Sequence, residues 1–210
     1  MKEPTEELIA YIESAVIPRY TAFDRAHGTD HVRTVIAQSL ALAAHYDVNI
    51  DMVYTIAAYH DTGLSQGRER HHIVSGEILA ADRELASRFS AEQIAVMRDA
   101  VEDHRASSDH APRTIYGRIV AEADRCIDAA TILRRTVQYG LDHYPALGRE
   151  AQYVRCTEHL QRKYAAGGYL QLWIAESDNA RRLEELRAII RDGKRLRERF
   201  EEIYDRESSR

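Results

Sequence analysis

Histidine and aspartate recur in this chain where a helix presents an apolar face or comes to an end. His31 opens the second helical segment, and His60 and Asp61 stand side by side at the end of the third. His72 opens the fourth, His104 ends the fifth, and Asp124 lies inside a long one among Ala121, Ala123 and Ile127. Imidazole and carboxylate are the natural ligands of divalent transition metals. An ion so held lowers the pKa of water and supplies hydroxide near neutral pH. Taken singly, each residue reads equally well as a helix cap, a satisfied histidine or a surface ion-pair partner. Spread over five helices, they fit a site in a bundle core, where side chains of facing helices converge.

The elements that must position them are legible as apolar periodicity. A first helix runs from about Thr5 to Ile17 and is ended by Pro18. Thr29 or Asp30 caps a second that reaches Tyr46, with Val32, Val35, Ile36, Ser39, Leu40 and Ala43 inward. The third finishes at His60-Asp61, and Gly63 is its expected left-handed stop. A polar loop from Thr62 to Arg70 leads to a helix with Ile73, Val74, Ile78 and Leu79. Ser90 and Gln93 form a capping box for the next. The long helix starts near Thr114 and runs past Ala130, with Asp124 near its middle. Beyond Tyr139 come a break at Asp142–Pro145, a helix over Tyr153–Tyr164, an apolar patch at Tyr169–Ile174, and a final helix from Asp178 to Asp205. The expected fold is all-α.

Composition bounds the function. The 210 residues suffice for one domain with a substantial core, or for a domain plus an extension. A net charge of -5 argues against a general nucleic-acid binder. No apolar run approaches a membrane span, and Met1-Lys2-Glu3-Pro4 lacks a signal-peptide core. Cys126 and Cys156 have no metal-site spacing and read as reduced thiols of a cytoplasmic protein.

The order His31, His60-Asp61, Asp124 resembles the H…HD…D signature of the HD-domain metal-dependent phosphohydrolase superfamily. The contexts agree: His27-Gly28-Thr29-Asp30-His31-Val32, Ala57-Ala58-Tyr59-His60-Asp61-Thr62-Gly63 and Ala123-Asp124-Arg125-Cys126-Ile127-Asp128 are similar to the family's three motifs. The resemblance covers roughly residues 20 to 135. It implies an HD-domain helical bundle over 20–140, residues 1–19 as an N-terminal helix packing on it, and 141–210 as a C-terminal helical extension. That extension is expected to pack on the core, with covering the pocket or making a homodimer contact as its open roles.

By the same resemblance His31, His60, Asp61 and Asp124 would hold one metal. Members with two further histidines bind a second, with the HD aspartate bridging. In those members Gly follows the first extra His by four positions, a spacing that His72–Gly76 has and His71 lacks, so His72 and His104 are the expected second pair. One or two divalent ions follow, drawn from Mn, Fe, Mg, Co, Ni or Zn. The implied activity is hydrolysis of a phosphate ester or anhydride in a small molecule, nucleotides being the favoured class, with Asp61 and His60 as the catalytic pair. Beside them, Arg68 and Arg105 are candidates for phosphate contact, since arginine suits bidentate phosphate binding. His27 is a candidate for the substrate side. Two alternatives share the signature: a di-iron oxygenase on the same ligands, and a non-catalytic HD-fold binding module. Leu64 stands where cyclic-dinucleotide phosphodiesterases carry Lys, and no Gly-Tyr-Pro follows, which argues against that substrate class.

Overall fold

The computed structural model describes residues 3–24 and 27–209. Met1 and Lys2 of the N-terminal stretch, Arg25 and Ala26 of the loop before the second helix, and Arg210 lie outside them. Among the described residues the chain is helical with no strand, as its periodicity predicts. It forms two compact units, 1–126 with 173–177, and 127–172 with 178–210.

In the first unit α1 (Glu6–Ala15) buries Leu8 and Ile12, and a 3-10 turn (Ile17–Ala22) follows with Pro18 in its first turn. Proline is suited to that position because the amide it lacks would have no helical partner there. Then come α2 (Thr29–Ala43), α3 (Ile50–Tyr59), a second 3-10 turn (Thr62–Gln66), α4 (His71–Ala80), α5 (Arg83–Arg88), α6 (Ala91–Glu102) and α7 (Ile115–Asp124). The core is continuous through Leu8, Val32, Val35, Ile56, Ala57, Leu79, Met97, Val101 and Val120. Helix α3 is largely apolar and buried along its length except at Asp51, with α2, α6 and α7 against it. The capping box read at Ser90 and Gln93 forms at the start of α6. The apolar patch read at 169–174 contributes Trp173 and Ile174 to a second cluster with Ala43, Val48, Ile50, Val53 and Ile119. Glu122, fully buried, holds that segment: its carboxylate accepts from the Trp173 backbone at 2.6 Å and from the Ser177 hydroxyl.

In the second unit α8 (Ala129–His143), α9 (Arg149–Tyr164), α10 (Asn179–Arg191) and α11 (Gly193–Ser208) pack on one another. No helix among the described residues is long and apolar enough to cross a membrane.

Three expectations are corrected. The long helix from Thr114 is two helices: α7 ends at Asp124, and the chain turns through Cys126, which has φ 41. Asp124 therefore stands at a helix end and not in a helix middle. The last helix is likewise two, parted at Asp192, whose side chain accepts from the Arg195 amide and so starts α11. Gly63 is not a left-handed stop; the positive φ belongs to Gly67.

Gly63 is glycine for a different reason. A Cβ there would lie 2.2 Å from the His71 carbonyl oxygen and 2.6 Å from the Ser75 amide nitrogen, both backbone atoms of α4 that cannot swing away. Its own amide donates to the buried Ser75 hydroxyl at 2.8 Å. Gly63→Ala should cost at least about 2 kcal/mol by overpacking and lower the thermal midpoint. An unchanged midpoint would mean that the turn and α4 do not meet this closely.

Candidate metal centre

The site is built from helix ends. α3 stops at Tyr59, so His60 and Asp61 occupy the turn between it and the following 3-10 turn. Tyr20, buried in the first 3-10 turn, donates its hydroxyl to the Ala58 carbonyl at 2.8 Å and accepts from the Asp61 amide at 3.3 Å. His31 comes from the first turn of α2, His71 from the first residue of α4, His104 from just past α6, and Asp124 from the last residue of α7.

Three of the rings are oriented alike. The Nδ1 of His60 lies 2.8 Å from the Ala57 carbonyl, that of His71 2.8 Å from Arg68, and that of His104 2.6 Å from Val101. A carbonyl only accepts, so each Nδ1 must carry the proton, and each neutral Nε2 presents a lone pair to the pocket. Yet the Nε2 atoms of His71 and His104 are 3.2 Å apart, and those of His60 and His31 are also 3.2 Å apart. Facing lone pairs repel; a shared proton or a cation between them resolves the conflict.

Asp61 joins the two pairs. Its Oδ2 lies 3.3 Å from His60 Nε2 and 3.6 Å from His31 Nε2, while its Oδ1 lies 3.5 Å from both His71 Nε2 and His104 Nε2. Asp124 Oδ1 completes the first group, 3.2 Å from His31 and 3.8 Å from His60. Two groups thus have the composition and spacing to hold an ion: His31, His60 and Asp124, and Asp61, His71 and His104. Two ligand atoms about 2.1 Å from one metal, at tetrahedral to right angles, stand roughly 3.0–3.4 Å apart; the 3.2–3.3 Å separations fall within that window and the 3.5–3.8 Å ones lie just beyond it. His60 is fully buried, Asp61 is 3% exposed and His104 2%. A carboxylate so buried is tolerable only when compensated.

The electrostatics express the same need. Burial opposes protonation of His31, but hydrogen bonds to Asp124 and Asp61 outweigh it and push its pKa up to about 12. Burial likewise opposes protonation of His104, yet the Asp61 carboxylate raises its pKa. Burial, and then the charge on His104, push His71 down to about 4. Desolvation works against ionised Asp61 and Asp124, but the surrounding imidazoles hold both below the usual carboxylate range. Without a cation, protons play its part.

His31 has a raised pKa, so it is protonated at pH 7, and an incoming cation must displace that proton. Mn2+ titrated calorimetrically in buffers of different ionisation enthalpy should release about one proton or more per chain at pH 7. Affinity should weaken about tenfold per pH unit of acidification for each proton displaced. Binding with no proton release would contradict this electrostatic picture.

The structure brings His31, His60, Asp61, His104 and Asp124 together as the sequence pattern expects, but not His72. The fourth helix begins at His71, and it is His71 whose Nε2 faces His104 and Asp61. Adjacent helical residues point about 100° apart, so the one-residue choice decides which ring faces the site. The Nδ1 of His72 is buried with no hydrogen-bond partner. Of the substrate-side candidates, His27 is beside the site, its ring 5.9 Å from that of His31. It bonds Asp24 at 2.7 Å through Nδ1 and accepts from Arg68 at 3.3 Å through Nε2. Arg68 is largely exposed, and its carbonyl orients His71. Arg105 donates to the Glu69 carbonyl at 2.6 Å and so braces the segment leading into α4. Tyr20 supports the site through its hydrogen bonds at Ala58 and Asp61, and a lone tyrosine after Pro18 carries no signal in the sequence that would single it out.

The fold and the site together define an all-α bundle whose helix ends converge as two His/Asp groups that could hold metal ions. Residues 28–128 match the family model of the HD domain, and all six residues of the two His/Asp groups lie within that span. Comparison with curated proteins and with solved structures finds no match.

Proposed function

We propose that this protein is a binuclear metal-dependent phosphohydrolase acting on a small phosphate ester or anhydride, with nucleotides as the first substrate class to test. The observation that carries the reading is the single carboxylate of Asp61, which turns one oxygen to each of two histidine pairs with Nε2 atoms 3.2 Å apart. The HD-domain match over 28–128 supports the metal-dependent hydrolase class.

In this reading His31, His60 and Asp124 would hold one cation and His71 and His104 the other, with the Asp61 carboxylate facing both groups. Such ions, when bound, would supply an acidified water and neutralise charge that builds on the phosphoryl oxygens. The chain's own part is to place the Asp61 carboxylate between the two histidine pairs and to hold the Nδ1 protons of His60, His71 and His104 on backbone carbonyls, so that their Nε2 atoms face the pocket. Divalent cations outweigh the two carboxylates and leave the pocket attractive to an anion. Arg68 offers an exposed guanidinium at the His31 side, where His27 and Asp24 position it. Arg105 acts through the loop it braces.

The test is an assay of purified protein on p-nitrophenyl phosphate, bis-p-nitrophenyl phosphate and a nucleotide panel with Mn, Mg, Fe, Co, Ni or Zn supplied in turn. Metal-dependent release of phosphate, pyrophosphate or nitrophenol is the expected result. Full metal occupancy without turnover of any substrate would remove the hydrolase reading. If that came with a mixed-valent iron signature, an oxygenase would replace it.

A further inference from the structure

Arg125 has a side chain almost wholly withdrawn from water, 4% exposed, beside the Asp124 carboxylate. A buried arginine is costly unless it is paired and hydrogen-bonded. Its position follows from the turn at the end of α7, where the chain passes through Cys126 at φ 41. A residue without glycine's freedom pays for that conformation, so the packing around the turn must hold it there. Arg125 Nη1 donates to the His104 carbonyl at 2.9 Å and lies 3.9 Å from Asp124 Oδ2.

His104 depends on such support. It stands beyond the last residue of α6, and its own amide reaches the Val101 carbonyl only at 3.4 Å. Its ring is held by that same carbonyl. Asp124, by contrast, is the last residue of a regular helix. One nitrogen of Arg125 thus touches the backbone of a residue from one ligand group and approaches the carboxylate of the other.

We infer that Arg125 is a positioning residue that locks His104 against Asp124, so that the Asp61–His71–His104 group is preformed for its cation. The inference rests on the binuclear reading above. Its sign separates it from a charge effect. A guanidinium near the pocket repels cations, so if charge were its whole role, removing it would tighten binding at both groups. As a positioning residue, its loss weakens one group selectively.

The experiment is Mn2+ titration of the full chain, wild type and Arg125→Met, read by calorimetry and by the electron paramagnetic signature of a spin-coupled Mn pair. Wild type should bind two ions. Arg125→Met should keep its first step within about threefold and weaken its second by about tenfold or more, the change expected when a group orienting a ligand is lost. The coupled-pair signal should fade at Mn2+ levels that saturate wild type. Unchanged isotherms, tighter binding, or equal weakening of both steps would overturn the inference. If Arg125→Met does not fold, Arg125→Lys carries the test: it keeps the charge but not the planar fork, and its second step should still be weaker while the first is unchanged. Equality with wild type in that variant would overturn it. Failure of the phosphohydrolase reading looks different, because wild type would then bind two ions without hydrolysis, or bind none.

Discussion

Asp61→Ala should abolish metal-dependent phosphate release and strip both ions from the pocket, not one. Every other proposed ligand faces one group, whereas the two oxygens of Asp61 face different groups, at 3.3–3.6 Å from four imidazole nitrogens. Removing it takes away the shared negative charge and the spacer together. If the carboxylate supplies about 4 kcal/mol of the stabilisation that cations give the developing phosphoryl charge, its loss costs about 10³-fold in rate. Asp61→Asn is the sharper control. It keeps the volume but has one carbonyl oxygen and no charge, so it can serve at most one group. The alanine variant should also release fewer protons on adding Mn2+, because the Asp61 carboxylate accepts a hydrogen bond that helps to hold the His31 proton in place. Activity within tenfold of wild type at equal metal concentration would refute the assignment of Asp61 as the bridge.

What the sequence made legible was periodic. The apolar faces read for the C-terminal helices, Leu183, Leu186, Ile189 and Ile190, then Leu196, Phe200 and Ile203, are buried. The convergence of His31, His60-Asp61, His104 and Asp124 could be anticipated because each stood at a helix end or on an apolar face. What stayed hidden was where helices stop. The apolar rhythm of Ile119, Val120, Ala123 and Ile127 runs straight across the turn at 125–128, and Cys126 is a residue type that rarely takes a positive φ. Asp192-Gly193 was a readable stop, an acceptor side chain followed by a flexible residue, but an unbroken apolar face beyond it masked the signal. The role of Glu122 depends on backbone amides some fifty residues away, and no local pattern encodes such a pairing. The constraint on Gly63 is steric, set by the backbone of α4, and the local pattern of a helix end does not carry it.

The choice between His71 and His72 turns on helix register, and one pair of variants decides it. His71→Ala should lose about one bound ion per chain and most of the activity, while His72→Ala should keep both ions. The spacing to Gly76 favours His72 through the resemblance to binuclear family members, in which glycine follows the first extra histidine by four positions. The structure starts α4 one residue earlier. His71 then points its Nε2 at His104 from 3.2 Å and at Asp61 from 3.5 Å, with its Nδ1 anchored on the Arg68 carbonyl. Gly76 faces α6 instead, where a Cβ would press on Arg98 and Glu102 at 3.0–3.1 Å. That glycine serves helix packing and does not report which histidine enters the pocket. The unpaired Nδ1 of His72 makes its variant informative as well. Replacing a ring with a buried, unsatisfied nitrogen removes a desolvation penalty of about 1–3 kcal/mol, which offsets lost packing, so His72→Ala should lose little stability. If His72→Ala instead sheds an ion and His71→Ala does not, α4 is rotated by one residue from the arrangement described, and the Gly63 contact with the His71 carbonyl must be redrawn with it.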